Sequence, residues 1–288
     1  MHNHHLIRAN LSIFYLYFSN NMDFIYFLLL LSAIFIVYAA LRKTHEPFAA
    51  IPPWATHLDD NGVITLPNVF SENDTKPLKA LVYNQVESKS LRLGAINNRS
   101  RRLDMIVPLN ALTKSILAKA WRSIKDGISK YDQNPYVIEC SSFVNMPYSD
   151  PQTWHSDVLP EDMPPGTKLF SIAILLEDTD ESMGPLEVIP KSHIREIHAH
   201  QRECNPKLEH ICGYFHDDVK YTSCVGSLGS MIVWDATVQH RSGANRSGKV
   251  RSMFYFSILC GTSVIPNGIT HSIEKRYRNK PLRINQFL

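Results

Sequence analysis

The fold is decided by five apolar runs in the C-terminal half of the chain: YVIECSSFVN (136–145), KLFSIAILL (168–176), PLEVIP (185–190), SMIVW (230–234) and VRSMFYFSIL (250–259). Each run is rich in β-branched or aromatic residues, and Gly, Pro and Asp lie between the runs. Short strands at this spacing are typical of a sandwich or jelly roll. We therefore expect a mainly β fold.

The segment before these runs predicts a strand and two flanking helices. GVITLPNV (62–69) is β-rich, and Ser71 with Asp74 forms a capping-box pattern ahead of a helix that continues to about Glu87. Apolar residues recur at helical spacing between Leu112 and Ile128 and predict the second helix. These apolar positions are expected to belong to the core.

An uncharged run near the N-terminus predicts a transmembrane anchor. FIYFLLLLSAIFIVYAAL, from Phe24 to Leu41, carries no charged residue, and Asp23 and Arg42-Lys43 bound it. A helix of this length reaches roughly 27 Å, close to the ~30 Å thickness of the hydrocarbon layer. The alternatives are a cleaved signal peptide and a buried core helix. A signal peptide has its positive charge before a shorter apolar run, which favours the anchor.

The anchor sets the predicted organisation of the chain. We expect a tail over 1–21, a transmembrane anchor over 22–43, a proline-containing linker over 44–58 and a single catalytic domain over 59–288. Positive charge after the span predicts a single-pass membrane protein whose catalytic domain faces the cytosol. The chain has five cysteines without a CxxC pair, which is consistent with reduced thiols and that location.

The charge balance argues against a nucleic-acid partner. Thirty Lys and Arg against 27 Asp and Glu give a formal net charge of only +3. One small basic cluster stands out, Arg99 with Arg101 and Arg102. Its two interpretations are a solvated loop and a mouth that attracts an anionic substrate.

Three residues with the chemistry of metal ligands follow the β runs. His155 and Asp157 are two positions apart, so in an extended backbone their side chains lie on one face. His240 comes after the apolar run that ends at Trp234 and would reach the same end of a barrel. Two imidazoles and one carboxylate on a face are typical of non-haem Fe(II) oxygenases. An HxD pair alone also arises by chance, so the surrounding sequence has to support this hypothesis.

Arg251 provides that support, because it stands at the start of the last long run, where a strand can direct its side chain inward. A buried guanidinium needs an anion, and the distal carboxylate of 2-oxoglutarate is a fitting bidentate partner. The rival is Arg246, but it lies in the turn ANRSGK (244–249), where exposure is expected.

Three stretches in order, QTWHSDVLP (152–160), GPLEVIPKSH (184–193) and HRSGANRSGKVR (240–251), resemble the phytanoyl-CoA dioxygenase family, and the resemblance covers roughly Asp60 to Leu259. It implies a double-stranded β-helix, cupin-like core. It also implies Fe(II) ligands at His155, Asp157 and His240 and cosubstrate contacts at Arg251 and Ser242.

The activity implied by the resemblance is a dioxygenase reaction. With Fe(II), 2-oxoglutarate and O2, the enzyme hydroxylates an unactivated C–H bond and releases succinate and CO2. A small organic or, given the anchor, lipid-like substrate is expected. The alternatives are a non-catalytic cupin-like metal-binding scaffold and a metalloenzyme that uses the same triad without 2-oxoglutarate. Asp235 is expected to order the loop before His240, while His193, Trp154 and Trp234 are interpreted as structural residues.

Overall fold

The computed structural model describes residues 32–33, 51–87, 101–197, 220–267, 269, 272–278 and 280–288. Contacts divide the chain into Met1–Ala50 and Ile51–Leu288, and every helix and strand named below lies in the second unit. We name three helices, α1 (Pro53–Asn61), α2 (Glu72–Glu87) and α3 (Ala111–Ile128).

Ten strands follow one another along the described part of the chain. They are β1 (Val63–Leu66), β2 (Arg102–Ile106), β3 (Tyr136–Asn145), β4 (Lys168–Leu175), β5 (Leu186–Val188), β6 (Thr222–Cys224), β7 (Met231–Asp235), β8 (His240–Ser242), β9 (Arg251–Cys260) and β10 (Leu282–Arg283). Short 3-10 helices lie at Pro160–Asp162, Glu181–Met183, Lys275–Tyr277 and Ile284–Phe287.

The strands form two antiparallel sheets. The larger has seven strands in the order β1-β7-β4-β9-β3-β10, with β2 also paired to β3, and the smaller has the order β6-β5-β8. A buried cluster joins the two sheets, since it contains Leu175 and Tyr255 from the large sheet and Leu186 and Val188 from the small one. This pair of facing sheets confirms the mainly β, jelly-roll core that the apolar runs predicted.

The other face of the large sheet carries the main apolar core. Alternate residues of β9, Phe254 and Phe256, pack in one cluster with Leu117 and Trp121 of α3. The period of two places each strand residue on one face or the other, so the intervening positions of β9 face the small sheet. The helices therefore cover the outside of the large sheet, and its inside is left for the functional site.

The helix ends follow from their local sequence. Asp74 accepts hydrogen bonds from the backbone N–H and the hydroxyl of Ser71, at 2.8 and 2.6 Å, and so forms the predicted cap of α2. Helix α1 was not predicted, since its prolines suggested a linker. Pro53 occupies its first turn, where proline is tolerated because that N–H has no partner inside the helix. Gly62 ends α1 with φ 79°, a left-handed conformation that glycine adopts without strain.

The predicted transmembrane anchor and membrane localisation must be corrected. Within the residues described, no helix is long and apolar enough to cross a membrane. Apart from Ser32 and Ala33, the run Phe24–Leu41 lies outside the described residues. The prediction rested on the length and hydropathy of the run and on its flanking charges, and an apolar run of marginal length is also typical of segments that do not span a bilayer. The remaining division, with its linker over 44–58 and its domain from residue 59, stays a prediction.

Candidate active site

The two sheets bring His155, Asp157 and His240 together. The backbones of His155 and His240 exchange two hydrogen bonds of 3.0 and 2.8 Å, which join the segment after β3 to the first residue of β8. Two residues on, the N–H of Asp157 donates to the carbonyl of Ala236 at 3.0 Å. One ligand atom from each of the three side chains lies within 4.8 Å of the others. This spacing suits a single metal ion.

The two imidazole rings are held in one tautomer. Nδ1 of His155 lies 2.8 Å from the carbonyl of Thr153, and Nδ1 of His240 lies 3.0 Å from the carbonyl of Val238. A carbonyl can only accept, so each Nδ1 carries the proton and each Nε2 keeps its lone pair. Nε2 of His240 lies 3.6 Å from Oδ1 of Asp157, so this lone pair faces the carboxylate that would share the metal. Such backbone support is typical of metal-binding histidines.

Burial shapes the electrostatics of the three groups. It lowers the pKa of His155 to about 4, with a further lowering from the nearby His240, and it lowers the pKa of His240 to about 4 as well. Burial raises the pKa of Asp157, although His155 and the side chain of Trp234 act in the opposite direction. The imidazoles are therefore neutral donors at pH 7. A cation would supply the positive charge that the Asp157 carboxylate needs, so the donor set fits Fe(II).

Arg251 enters the same interior from β9. Its side chain is buried to 1% exposure, and its NH2 donates to the hydroxyl of Ser242 at 2.5 Å. Its Nε has no hydrogen-bond partner. No ion pair to this guanidinium occurs among the residues that the structure describes. Burial lowers the pKa of Arg251 to about 10, and Arg102 adds to the lowering. The Arg251 guanidinium is therefore a buried cation without an ion-pair partner among the described residues.

The basic cluster of the sequence divides in the structure. Arg101 is exposed, Arg99 lies outside the described residues, and Arg102 is the first residue of β2 with 7% exposure. Arg102 donates from NH2 to the carbonyls of Asp150 and Gly243, and its charge lowers the pKa of His155. Arg102 therefore faces the site instead of the solvent, which local sequence did not reveal. The sequence signal that could have indicated this is a basic residue at the first position of a strand whose apolar residues alternate.

The structure also shows the surroundings of the other candidate residues. Arg246 is exposed in its turn, as expected. Asp235 accepts hydrogen bonds from the N–H and hydroxyl of Thr237, at 3.0 and 2.6 Å, and so orders the turn before His240. Trp234 was expected only to pack in the core. Its ring centroid lies 5.9 Å from that of His240, so it also lies next to the candidate metal site.

Two residues interpreted as structural have structural contacts. Nε2 of His193 donates to the carbonyl of Asp59 at 2.8 Å and ties the segment after β5 to α1. Trp154 lies under the guanidinium of Arg241, 4.5 Å from the ring centroid. His198 and His200, a second pair of histidines two positions apart, lie outside the described residues.

The family model for phytanoyl-CoA dioxygenase matches residues 58–253. The chain belongs to this family. The match includes both histidines, Asp157 and Arg251, and it agrees with the resemblance drawn from the sequence. Family membership also confirms the predicted class of enzyme, a dioxygenase that depends on Fe(II) and 2-oxoglutarate.

Relatives and solved structures agree with this assignment. An ectoine dioxygenase from Bordetella parapertussis is 25% identical over 214 residues, which cover 65% of this chain and 68% of the relative. EctD from S. alaskensis, solved with 2-oxoglutarate and 5-hydroxyectoine, has a TM-score of 0.56 at 17% identity over 82% of this chain and 85% of its own. The non-heme alpha ketoglutarate dependent epimerase SnoN has a TM-score of 0.58 at 11% identity, over 74% and 84%. At such identities the two structures show the shared fold.

Proposed function

We propose that His155, Asp157 and His240 hold Fe(II) and that Arg251 and Ser242 bind the distal carboxylate of 2-oxoglutarate. The enzyme then hydroxylates a small organic substrate: the substrate C–H, 2-oxoglutarate and O2 give the alcohol, succinate and CO2. The bound iron supplies the oxidising chemistry. The protein supplies the coordination geometry, the anchoring of the cosubstrate and a site shielded from water.

The observation that carries this proposal is the buried, unpaired guanidinium of Arg251 in the same interior as the triad. A metal-binding scaffold, or a metalloenzyme without 2-oxoglutarate, has no need of it, and a buried cation without an anion is costly. The hydroxyl of Ser242 lies within 2.5 Å of that guanidinium, so the two side chains would act on one carboxylate. A fork of donors on a carboxylate is strong and directional.

The structure and the relatives indicate the general chemical class of the substrate. The match to ectoine dioxygenase supports a small, polar organic molecule. A lipid-like substrate was expected because of the membrane anchor, and that reason no longer holds. Neighbours with the same fold include an epimerase and a carbocyclase, so the fold alone does not fix the reaction on the substrate.

The test is a titration of 2-oxoglutarate into the anaerobic, Fe(II)-loaded full-length protein, followed by the metal-to-ligand absorption band. We expect a saturable band, and succinate release when O2 and a metabolite library are added. Iron binding without any band would instead favour a metalloenzyme that does not use 2-oxoglutarate. Iron binding with neither a band nor any turnover would favour the metal-binding scaffold, and absence of iron binding would contradict the proposed triad.

A further inference from the structure

Three interior residues form one row across three strands of the large sheet. In the register of the sheet, Arg102 of β2 lies opposite Asn145 of β3, and Asn145 lies opposite Arg251 of β9. Exposure is 7% for Arg102 and 1% for each of the other two. The row therefore places a neutral, buried amide between two buried guanidinium groups.

The amide of Asn145 determines what Ser242 can do. Its Nδ2 donates to the Ser242 hydroxyl oxygen at 3.1 Å, and NH2 of Arg251 donates to the same oxygen at 2.5 Å. A hydroxyl oxygen has two lone pairs, and both are used here. The O–H of Ser242 is therefore left to act as a donor, which is the role that a carboxylate ligand requires.

The backbone of Ser242 is fixed as well. Its N–H donates to Oε1 of Gln152 at 2.9 Å, and its carbonyl accepts from the N–H of Gln152 at 2.9 Å. On the opposite edge of β8, Ser242 lies across from Leu186 of β5, and the N–H of the next residue, Gly243, donates to the carbonyl of Pro185 at 2.9 Å. With the backbone of Ser242 held in this way, the direction of its hydroxyl proton depends on the two donors to its oxygen, Asn145 and Arg251.

Neither guanidinium of the row forms an ion pair with a residue that the structure describes. Nε of Arg102 and Nε of Arg251 both lack a hydrogen-bond partner. Burial lowers the pKa of each guanidinium to about 10, and the charge of Arg102 lowers the pKa of Arg251 further. The carboxylates of Asp150 and Glu177 oppose this lowering, at Arg102 and at Arg251 respectively, without removing it. The row therefore contains two guanidinium groups, each with an unused Nε–H donor, and it includes the contacts that orient the Ser242 hydroxyl. This arrangement suits a carboxylate ligand.

We propose that Asn145 is a positioning residue for 2-oxoglutarate: its amide directs the Ser242 proton toward the distal carboxylate and keeps the space between Arg102 and Arg251 uncharged until that carboxylate arrives. This inference rests on the proposed function. An acid at position 145 would supply the missing anion from within the chain. It would also accept a hydrogen bond from the Ser242 hydroxyl. The added charge and this hydrogen bond would both compete with the carboxylate of the cosubstrate.

The test compares Asn145→Asp with wild type in two measurements. In metal-free, ligand-free protein, we expect a melting temperature higher by ~2–4 °C or more, since a buried counter-charge of nearly equal volume now neutralises the arginines. In anaerobic Fe(II) protein, we expect the Kd for 2-oxoglutarate to rise by about 30-fold or more, the effect of losing one partner of a buried charge pair. Iron affinity should be unchanged.

Two further variants separate this role from a structural one. Asn145→Leu removes the donor without adding charge, and we expect the Kd for 2-oxoglutarate to rise on the order of 10-fold. Asn245→Asp is the matched control, because Asn245 is also 1% exposed but its Nδ2 donates to three backbone carbonyls. A carboxylate there meets carbonyl oxygens, so the control should lower the melting temperature.

The outcomes are distinct. A lower melting temperature for Asn145→Asp, like that of the control, or an unchanged Kd in both Asn145 variants would overturn the inference. If wild-type protein gives no 2-oxoglutarate band, the proposed function fails instead. A higher melting temperature for metal-free Asn145→Asp would in that case still support an anion-binding row between the two arginines.

Discussion

Replacing Arg251 tests the anchoring of the cosubstrate directly. Arg251→Lys keeps a positive charge but loses the planar fork, and Arg251→Ala loses both. The side chain is fully buried, with 1% exposure, so solvent cannot replace its hydrogen bonds. The Ser242 hydroxyl also loses its 2.5 Å contact with the guanidinium NH2 in both variants. We therefore expect the affinity for 2-oxoglutarate to fall in the order wild type, lysine variant, alanine variant.

The magnitude follows from the burial of this group. Removing one partner of a buried, hydrogen-bonded charge pair costs about 2–5 kcal/mol, which is roughly 30-fold to several thousand-fold in affinity. Exposed pairs contribute about 1 kcal/mol or less, so Arg246→Ala should change the affinity by only a few-fold at most. Arg246 is exposed and serves as the control.

The assay is the metal-to-ligand band of anaerobic Fe(II) protein, titrated with 2-oxoglutarate. Iron binding should survive in all three variants, because the triad lies on other strands. A band that persists unchanged in Arg251→Ala but disappears in Arg246→Ala would show that the anchor is misplaced. If neither substitution alters the band, the reasoning from the buried guanidinium is refuted.

Three other substitutions test the metal site and the fold. Asp157→Ala should abolish succinate release and weaken Fe(II) retention in equilibrium dialysis, with an unchanged circular dichroism spectrum; normal turnover would contradict the triad. Lys119 and Ser71 lower the pKa of Asp74 to about 2, so Asp74→Asn should reduce the free energy of unfolding by about 1 kcal/mol at pH 7. That difference should disappear as the pH falls from about 4 to 2, because Asp74 then becomes protonated in wild type; a constant difference in urea melts would argue against it. Trp121→Ala empties a site in the main core with 3% exposure and should cost about 3–5 kcal/mol in the same melts, whereas an unchanged midpoint would place the core elsewhere.

The strands and the His155–Asp157 pair of the proposed metal site could be predicted because their signals are local. The run 136–145 became β3 with the same bounds, and the run 250–259 became β9 with a shift of one residue. His155 and Asp157 are two positions apart, and a period of two is the property that an extended backbone carries in its sequence. Only the third ligand, His240, required an assumption about distant parts of the chain.

The row of Arg102, Asn145 and Arg251 could not be predicted in the same way. Asn145 and Arg251 lie opposite each other although more than a hundred residues separate them in the sequence. Their pairing is fixed by the register of β3 with β9, which no local pattern encodes. Arg102 likewise reads as part of a basic loop until its pairing with β3 places it inside. Local charge alone could not decide between the two interpretations of this cluster, a solvated loop and a mouth that attracts an anionic substrate.

The three-residue strand β8 links the two halves of the proposed mechanism. His240 and Ser242 stand two positions apart, so they lie on one face about 6–7 Å apart along the strand. The first residue belongs to the proposed metal site, and the second contacts Asn145 and Arg251. A slip of one residue in the pairing with β5 would turn both side chains away from the interior at once. The hydrogen bonds from Gln152 and His155 to this strand therefore maintain iron binding and cosubstrate binding together.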